Sequence, residues 1–70
     1  MEYKAMRVEV IVSEPSDLMG TILTLEIHPG QSLGEVLAQR GFDPDCITSD
    51  VSLTDPTVVE NGMYVRIRVN

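Results

Sequence analysis

The two side chains best suited to acid–base or nucleophilic chemistry near neutral pH are a single histidine, His28, and a single cysteine, Cys46. His28 stands directly before a Pro-Gly pair with no evident partner, so we expect an exposed loop residue. Cys46 would become a nucleophile if it approached His28, but the aspartates around it are expected to raise its pKa and blunt its reactivity. We predict instead that Cys46 and Ile47 enter the core, with the cysteine as a small buried apolar residue.

Four aspartates in the second half of the chain suggest a hard-cation site, because Ca²⁺ prefers oxygen ligands: Asp43, Asp45, Asp50 and Asp55. Their spacing lacks the glycine and the distal glutamate of a calcium-binding loop. Aspartate is also common in turns, where its carboxylate accepts from nearby backbone N–H groups. We therefore expect turn residues, with no metal and no cofactor. Since no Ser–His–Asp set, phosphate-binding loop or dinucleotide fingerprint is present, the sequence predicts that the protein is not an enzyme.

Net charge and composition limit the classes of binding partner and the cellular compartment that we expect. Eleven acidic and five basic residues give a formal net charge of −6 in 70 residues. Such a charge repels nucleic acid and anionic membranes, so neither is an expected partner. The single cysteine forms no internal disulfide, and no stretch resembles a signal peptide or a membrane span. We predict one domain, residues 1–70, in the cytoplasm.

Two segments of alternating apolar and polar residues near the start predict a β-hairpin. The first covers residues 6–12 and the second residues 21–27. The turn-forming residues between them, 13–20, predict a connection longer than a tight turn.

A helix of about three turns is expected to follow. Ser32 and Glu35 have the spacing of a capping box, in which each side chain satisfies a backbone N–H of the other. Gly41 suits the left-handed position after the helix, and Phe42 is expected to fold back onto it. The residues predicted to share the buried face are Leu33, Val36 and Leu37.

The remaining chain predicts short extended segments and one strong strand. Short strands are expected at residues 51–53 and 58–59, separated by a proline turn. In the final strand, the residues predicted to face the core are Met63, Val65, Ile67 and Val69.

These elements predict an α+β fold in which a mixed sheet packs on one helix in the order ββαββ. The helix is the only element available to cover the sheet, and the last strand is expected to lie beside the first and parallel to it. This is the ubiquitin-like β-grasp arrangement.

Two stretches resemble the sulfur-carrier branch of the ubiquitin-like superfamily, the ThiS and MoaD type. They are HPGQSLGEVLAQRGF (residues 28–42) and VVENGMYVRIRV (residues 58–69), and the ligand-binding SLBB and TGS domains share them. The resemblance covers most of the chain from Arg7 onward and implies the β-grasp fold. Members of the carrier branch end in Gly-Gly, because an extended, unhindered terminus must enter an activating enzyme.

This chain ends in Arg68-Val69-Asn70, so the resemblance implies the carrier fold without the carrier chemistry. We therefore expect a small non-catalytic protein-binding or assembly module whose partner is a protein of unknown identity. Two alternatives remain open: a tail-less carrier-like protein that docks to an activating enzyme, and a small-molecule binder of the SLBB kind.

The outward face of the sheet is the predicted contact surface, because arginine and tyrosine are enriched in interface hot spots. We expect Glu9 to pair with an arginine across the strands of this face. The alternative is an ordinary solvated face composed of β-formers. The predicted contact residues are Arg7, Ile11, Ile22, Tyr64, Arg66 and Arg68.

A second candidate contact is the pair Leu18 and Met19 in the predicted hairpin loop. These apolar residues either contact a partner or fold under the loop and close the core. We expect a monomer or a weak homodimer through an exposed strand edge.

Overall fold

The computed structural model describes residues 5–70 and shows an α+β fold, with a four-stranded mixed sheet and one helix in this part of the chain. The elements are β1 (Met6–Glu14), β2 (Asp17–Ile27), α1 (Leu33–Gln39), β3 (Ile47–Ser49) and β4 (Tyr64–Val69). Single turns of 3₁₀ helix at Pro44–Cys46 and Pro56–Val58 interrupt the expected ββαββ order. The predicted α+β class is confirmed, and the architecture is compatible with a β-grasp fold.

The sheet has the strand order β2-β1-β4-β3, which places the first and last strands side by side at its centre. As predicted, β4 runs parallel to β1, with Val10 opposite Val65 and Val12 opposite Ile67. At the two edges of the sheet, β2 pairs antiparallel with β1, and β3 pairs antiparallel with β4. Alternation along β1 and β4 directs these four apolar side chains to one face, where all are buried.

Helix α1 lies on this buried face and begins and ends as the sequence predicts, although it has two turns rather than three. The Ser32 hydroxyl accepts from the backbone N–H of Glu35 at 3.3 Å. Gly41 adopts a φ of +91°, which is a conformation that side chains with a Cβ disfavour. The N–H groups of Gly41 and Phe42 donate to carbonyls of the last turn at 3.1 and 3.0 Å, and the half-buried Phe42 packs against the core. Besides Gly34, three apolar helix residues are fully buried or nearly so: Leu33, Val36 and Leu37.

The predicted strand at residues 51–53 is wrong, because this segment packs against the start of α1 instead of pairing with the sheet. The backbone N–H of Gly34 donates to the Leu53 carbonyl at 2.8 Å. The third strand is the earlier segment Ile47–Ser49, in which Ile47 pairs with Val69. Ile47 is buried, as expected.

The second predicted short strand, at residues 58–59, is also not formed, because Val58 is the last residue of a 3₁₀ turn. Asp55 caps this turn by accepting from the Thr57 N–H at 2.9 Å and from its hydroxyl at 2.6 Å. These two bonds, the hydroxyl bond foremost, hold the pKa of the Asp55 carboxyl below its ordinary value. Val59 follows the turn and is buried.

The hairpin connection between β1 and β2 is shorter than predicted. Glu14 pairs with Asp17, so that only Pro15 and Ser16 lie between the strands. The residues that suggested a long loop, 17–20, instead belong to β2.

Candidate functional site

The sheet face opposite α1, here called the solvent face, carries all six residues predicted to form the main contact surface. Strand alternation places them there, because their neighbours in β1 and β4 point into the core. Ile11 occupies the middle of the group, opposite Ile22 on one side and Arg66 on the other. The face therefore joins an apolar centre on β1 and β2 to a basic margin on β4.

Large side chains on this face are open to solvent. Tyr64 is 74% exposed and Ile22 is 68% exposed, while Ile11 is half-buried between its neighbours. Arg66 and Arg68 alternate with the buried Val65 and Ile67 along β4, so both guanidinium groups rise from the same side. Because the backbone beneath them is held in a four-stranded sheet, these side chains have a rigid base.

Glu9 does not form the predicted pair with an arginine. Its carboxylate accepts from the Thr24 hydroxyl at 3.1 Å, across the β1–β2 pair. Thr24 and Tyr64 flank Glu9 on the two neighbouring strands, whereas the nearest arginine of β4, Arg66, lies opposite Ile11. Neither guanidinium group, that of Arg66 or that of Arg68, is therefore held in an ion pair by the described part of the chain.

Leu18 and Met19 lie in β2 rather than in a hairpin loop, and neither folds under the turn. They are 75% and 94% exposed. Between the pairs Glu14–Asp17 and Val12–Thr21, three residues of β2 stand opposite one residue of β1, which makes a wide bulge. The bulge lifts both side chains away from the core.

Gly20 closes this bulge, and a larger residue does not fit there. Its φ is +85°, and a Cβ would lie 2.9 Å from the Val12 carbonyl oxygen. The Asp17 carboxylate accepts from the Gly20 N–H at 3.2 Å and fixes the turn of the backbone. The sequence gives no clear signal for this bulge, because Gly20 ends a stretch of turn-forming residues, 13–20, and does not interrupt an alternating pattern.

Cys46 is exposed, so the prediction that it enters the core is wrong. It ends the 3₁₀ turn Pro44–Cys46, whose geometry leaves its side chain at the surface while the next residue, Ile47, turns inward. The thiol donates to the Asp43 carboxylate at 3.5 Å. This hydrogen bond and the Asp43 charge, with a smaller contribution from Asp45, raise the pKa of the Cys46 thiol, as expected from the acidic surroundings.

Replacing Asp43 with Asn should therefore make Cys46 more reactive. A raised pKa lowers the thiolate fraction at a given pH, and removal of the charge that raises it restores thiolate. The rate of alkylation by iodoacetamide, followed between pH 7 and 9, should increase and its pH profile should move to lower pH. Asp45→Asn is the matched control and should give a smaller change, because Asp45 acts through charge alone. Equal rates in Asp43→Asn and the unmodified chain would contradict the assigned cause.

The histidine and the two capping aspartates lie in three different connections of the fold. His28 is exposed in the connection between β2 and α1, where its N–H donates to Gln31 Oε1 at 3.0 Å. Asp43 and Asp55 cap 3₁₀ turns, in agreement with their interpretation as turn residues. Among residues 5–70 no group of three or more His, Cys, Asp or Glu side chains is arranged to hold a metal ion. In the same part of the chain, no helix has both the length and the hydrophobicity that a bilayer crossing requires.

Among the cavities formed by residues 5–70, two lie away from the solvent face. The larger, about 380 Å³, lies between the start of α1 and the 50–55 segment and is lined in part by Ser32, Glu35 and Leu53. The smaller, about 250 Å³, lies at the hairpin end of the core beside Leu23 and Phe42. The larger one falls within the size range of small-ligand pockets.

No protein-family model matches this sequence, and comparison with curated proteins finds no significant match. The site is therefore described by its own geometry, which is a rigid sheet face with an apolar centre and a basic margin.

Proposed function

We propose that the chain is a non-catalytic, cytoplasmic protein-binding module of the ubiquitin-like β-grasp type that contacts its partner through the solvent face. The observation that carries the proposal is Tyr64, a large aromatic side chain left 74% exposed on a rigid sheet, with Arg66 and Arg68 on the same strand. Tyrosine and arginine supply large contact areas and polar ends that a partner can satisfy. The central parallel pair of strands and the single packed helix support the β-grasp assignment.

The basic margin on β4, which lies apart from the carboxylates of Glu9 and Glu26 on β1 and β2, indicates the chemistry of the partner. Three of the five basic residues of a chain with net charge −6 lie on the solvent face: Arg7, Arg66 and Arg68. A partner surface with carboxylates around an apolar patch complements this arrangement, with the apolar part over Ile11 and Ile22. Binding of this kind weakens as salt concentration rises, because the charged margin remains in contact with solvent.

The double variant Tyr64→Ala/Arg66→Ala should lose partner binding and keep its fold. Exposed substitutions change the free energy of unfolding by about 0.5 kcal/mol or less, whereas hot-spot residues contribute about 1–2 kcal/mol or more to binding. The immobilised full chain should capture a partner from native lysate, and the double variant should bind the purified partner at least about tenfold more weakly. Unchanged affinity in the double variant would refute a role for the solvent face.

Arg40→Ala is the matched control, because Arg40 is an exposed arginine at the end of α1 and not on the solvent face. It should capture the partner as the unmodified chain does. Equal losses in both variants would point to a general charge effect instead of a defined contact surface.

A second candidate function, small-molecule binding, is favoured by the 380 Å³ cavity at the start of α1. Ligand-induced chemical-shift changes confined to Ser32, Glu35 and Leu53, in a chain that captures no protein, would support it over the first.

A further inference from the structure

Strand β2 lies at one edge of the sheet, so one side of its backbone has no partner strand. The hydrogen bonds of β1 determine which residues of β2 have backbone groups that point away from the sheet. The N–H of Glu9 donates to the Met63 carbonyl, and the Arg7 carbonyl accepts from Gly62, so these β1 residues hydrogen-bond on the β4 side. The intervening β1 residues therefore hydrogen-bond to their partners in β2. The β2 residues left with backbone groups pointing off the edge are Ile22, Thr24 and Glu26.

Arg40 provides independent evidence for this orientation. Its guanidinium Nη2 donates to the Thr24 carbonyl oxygen at 3.5 Å, a contact that requires the carbonyl to point away from β1. This long, exposed contact covers one carbonyl of the edge.

The edge carries little of the protection that exposed strands usually have. Proteins guard such edges with lysines, prolines, charges or bulges. In β2 the bulge is confined to residues 18–20, and residues 18–25 contain neither a charged residue nor a proline. Residues 21–27 pair regularly with β1, so they present an uninterrupted backbone to a further strand.

The outer edge of β2 is suited to pair with the same edge of a second copy. A two-fold axis at Thr24 would place Thr24 opposite Thr24 and Ile22 opposite Glu26 in antiparallel pairing, with all three outward-facing residues hydrogen-bonded. Threonine pairs are favourable across strands, and no two carboxylates oppose each other. On the core side, the half-buried Leu23 would be covered by Leu25 of the other copy. Within the paired segment, residues 22–26, Glu26 is the one charged residue, and it lies opposite Ile22, so two chains of net charge −6 meet there without a pair of opposed carboxylates.

We propose that the free edge of β2 binds β2 of a second copy of this chain, antiparallel and with Thr24 at the two-fold axis, to form one continuous eight-stranded sheet. The contact uses the backbone edge of β2, and it shares only Ile22 with the proposed protein-binding surface. Since few residues take part, the expected dissociation constant is on the order of 100 µM.

Sedimentation velocity of the full chain from about 10 µM to about 1 mM tests the association. A concentration-dependent dimer is expected, and it should tighten as salt concentration rises, because screening weakens the repulsion between two acidic copies. Arg40→Ala removes the side chain that covers the Thr24 carbonyl, so it should strengthen the dimer about two- to fivefold. A chain that stays monomeric at the highest concentration would overturn the proposal, and so would a dimer that salt weakens.

Thr24→Pro tests the edge itself. Proline removes the Thr24 N–H, which points off the sheet, and leaves the hydrogen bonds to β1 in place, so the fold should persist while dimerisation is lost. Thr24→Lys, which keeps the N–H and places like charges opposite each other at the axis, should also give a monomer. If either folded variant dimerises as the unmodified chain does, the edge is not the interface.

Cysteine crosslinking tests the register. In a Cys46→Ser background, Thr24→Cys should form a disulfide-linked dimer on mild oxidation, because the two cysteines face each other at the axis. Ile22→Cys is the matched control and should crosslink far more slowly, since it lies opposite Glu26. Equal crosslinking of both variants would exclude the proposed register.

Discussion

Gly34→Ala should destabilise the fold by about 2–3 kcal/mol, because a carbonyl of the opposing segment occupies the space that the new methyl group needs. In an ordinary helix position the same change is stabilising by about 1 kcal/mol. Here a Cβ on Gly34 would lie 2.6 Å from the Leu53 carbonyl oxygen, a distance at which atoms must move. The oxygen belongs to the backbone and cannot swing aside as a flexible side chain would.

Moving that carbonyl also weakens the hydrogen bond that it accepts. The Gly34 N–H donates to Leu53 at 2.8 Å, and this bond attaches the 50–55 segment to the start of α1. Thermal unfolding followed by circular dichroism should show a decrease in midpoint of about 10–20 °C for a domain of this size. Amide exchange should accelerate first at Gly34 and in the 50–55 segment, because the contact between them is the one lost.

Gly41→Ala is the matched control for this prediction. Gly41 has open space around its Cβ position, so alanine there meets only the strain of a φ of +91°, about 1 kcal/mol. The expected order of stability is the unmodified chain, then Gly41→Ala, then Gly34→Ala. A Gly34→Ala protein that is as stable as the unmodified chain, or more stable, would show that the close approach to Leu53 is relieved at no cost.

Three of the four strands, β1, β2 and β4, and the helix could be predicted from the sequence because the signals that define them are local. Alternation marked β1 and β4, and the Ser32 and Gly41 caps marked both ends of α1. The neighbouring parallel placement of β1 and β4 followed from the need to cover one apolar face with a single helix. The strand and helix predictions use residues that are close in sequence. The placement of β1 beside β4 uses one packing requirement of the whole fold.

The segment after α1 could not be predicted in the same way, because its conformation depends on contacts distant in sequence. Residues 51–53 alternate as a strand would, yet the Leu53 carbonyl is engaged by Gly34, some twenty positions earlier. Cys46 has an apolar preference that the 3₁₀ turn overrides. A tertiary contact decides the first outcome and leaves no local signature, whereas the second follows from a local turn that Asp43 caps.

The placement of the six candidate contact residues on one sheet face was predictable, but the pairing of Glu9 on that face was not. Strand alternation alone places Tyr64 and Arg66 on one face with Ile11. The partner of Glu9 depends on whether a hydroxyl on one neighbouring strand or a guanidinium on the other is better placed, and Thr24 takes that position. The sequence contains both kinds of partner for Glu9, and it does not indicate which of them forms the hydrogen bond.

Leu37→Ala should destabilise the fold by about 2–5 kcal/mol. Leu37 is fully buried against the sheet, and its backbone carbonyl also accepts from the Phe42 N–H at 3.0 Å. The substitution removes apolar contacts and leaves a cavity that a small domain has few other side chains to fill. A domain of this length has a total stability of about 4–10 kcal/mol, so much of its stability would be lost.

Urea denaturation followed by circular dichroism measures this effect, and Gln39→Ala on the exposed side of the same helix is the control. The control should change the free energy of unfolding by about 0.5 kcal/mol or less, because alanine favours helix and no buried contact is lost. If Leu37→Ala unfolds at the same urea concentration as Gln39→Ala, then α1 does not provide the cover on which the sheet depends. In that case the rigid base inferred for the solvent face would also have to be abandoned, since the same helix holds that sheet from its other side.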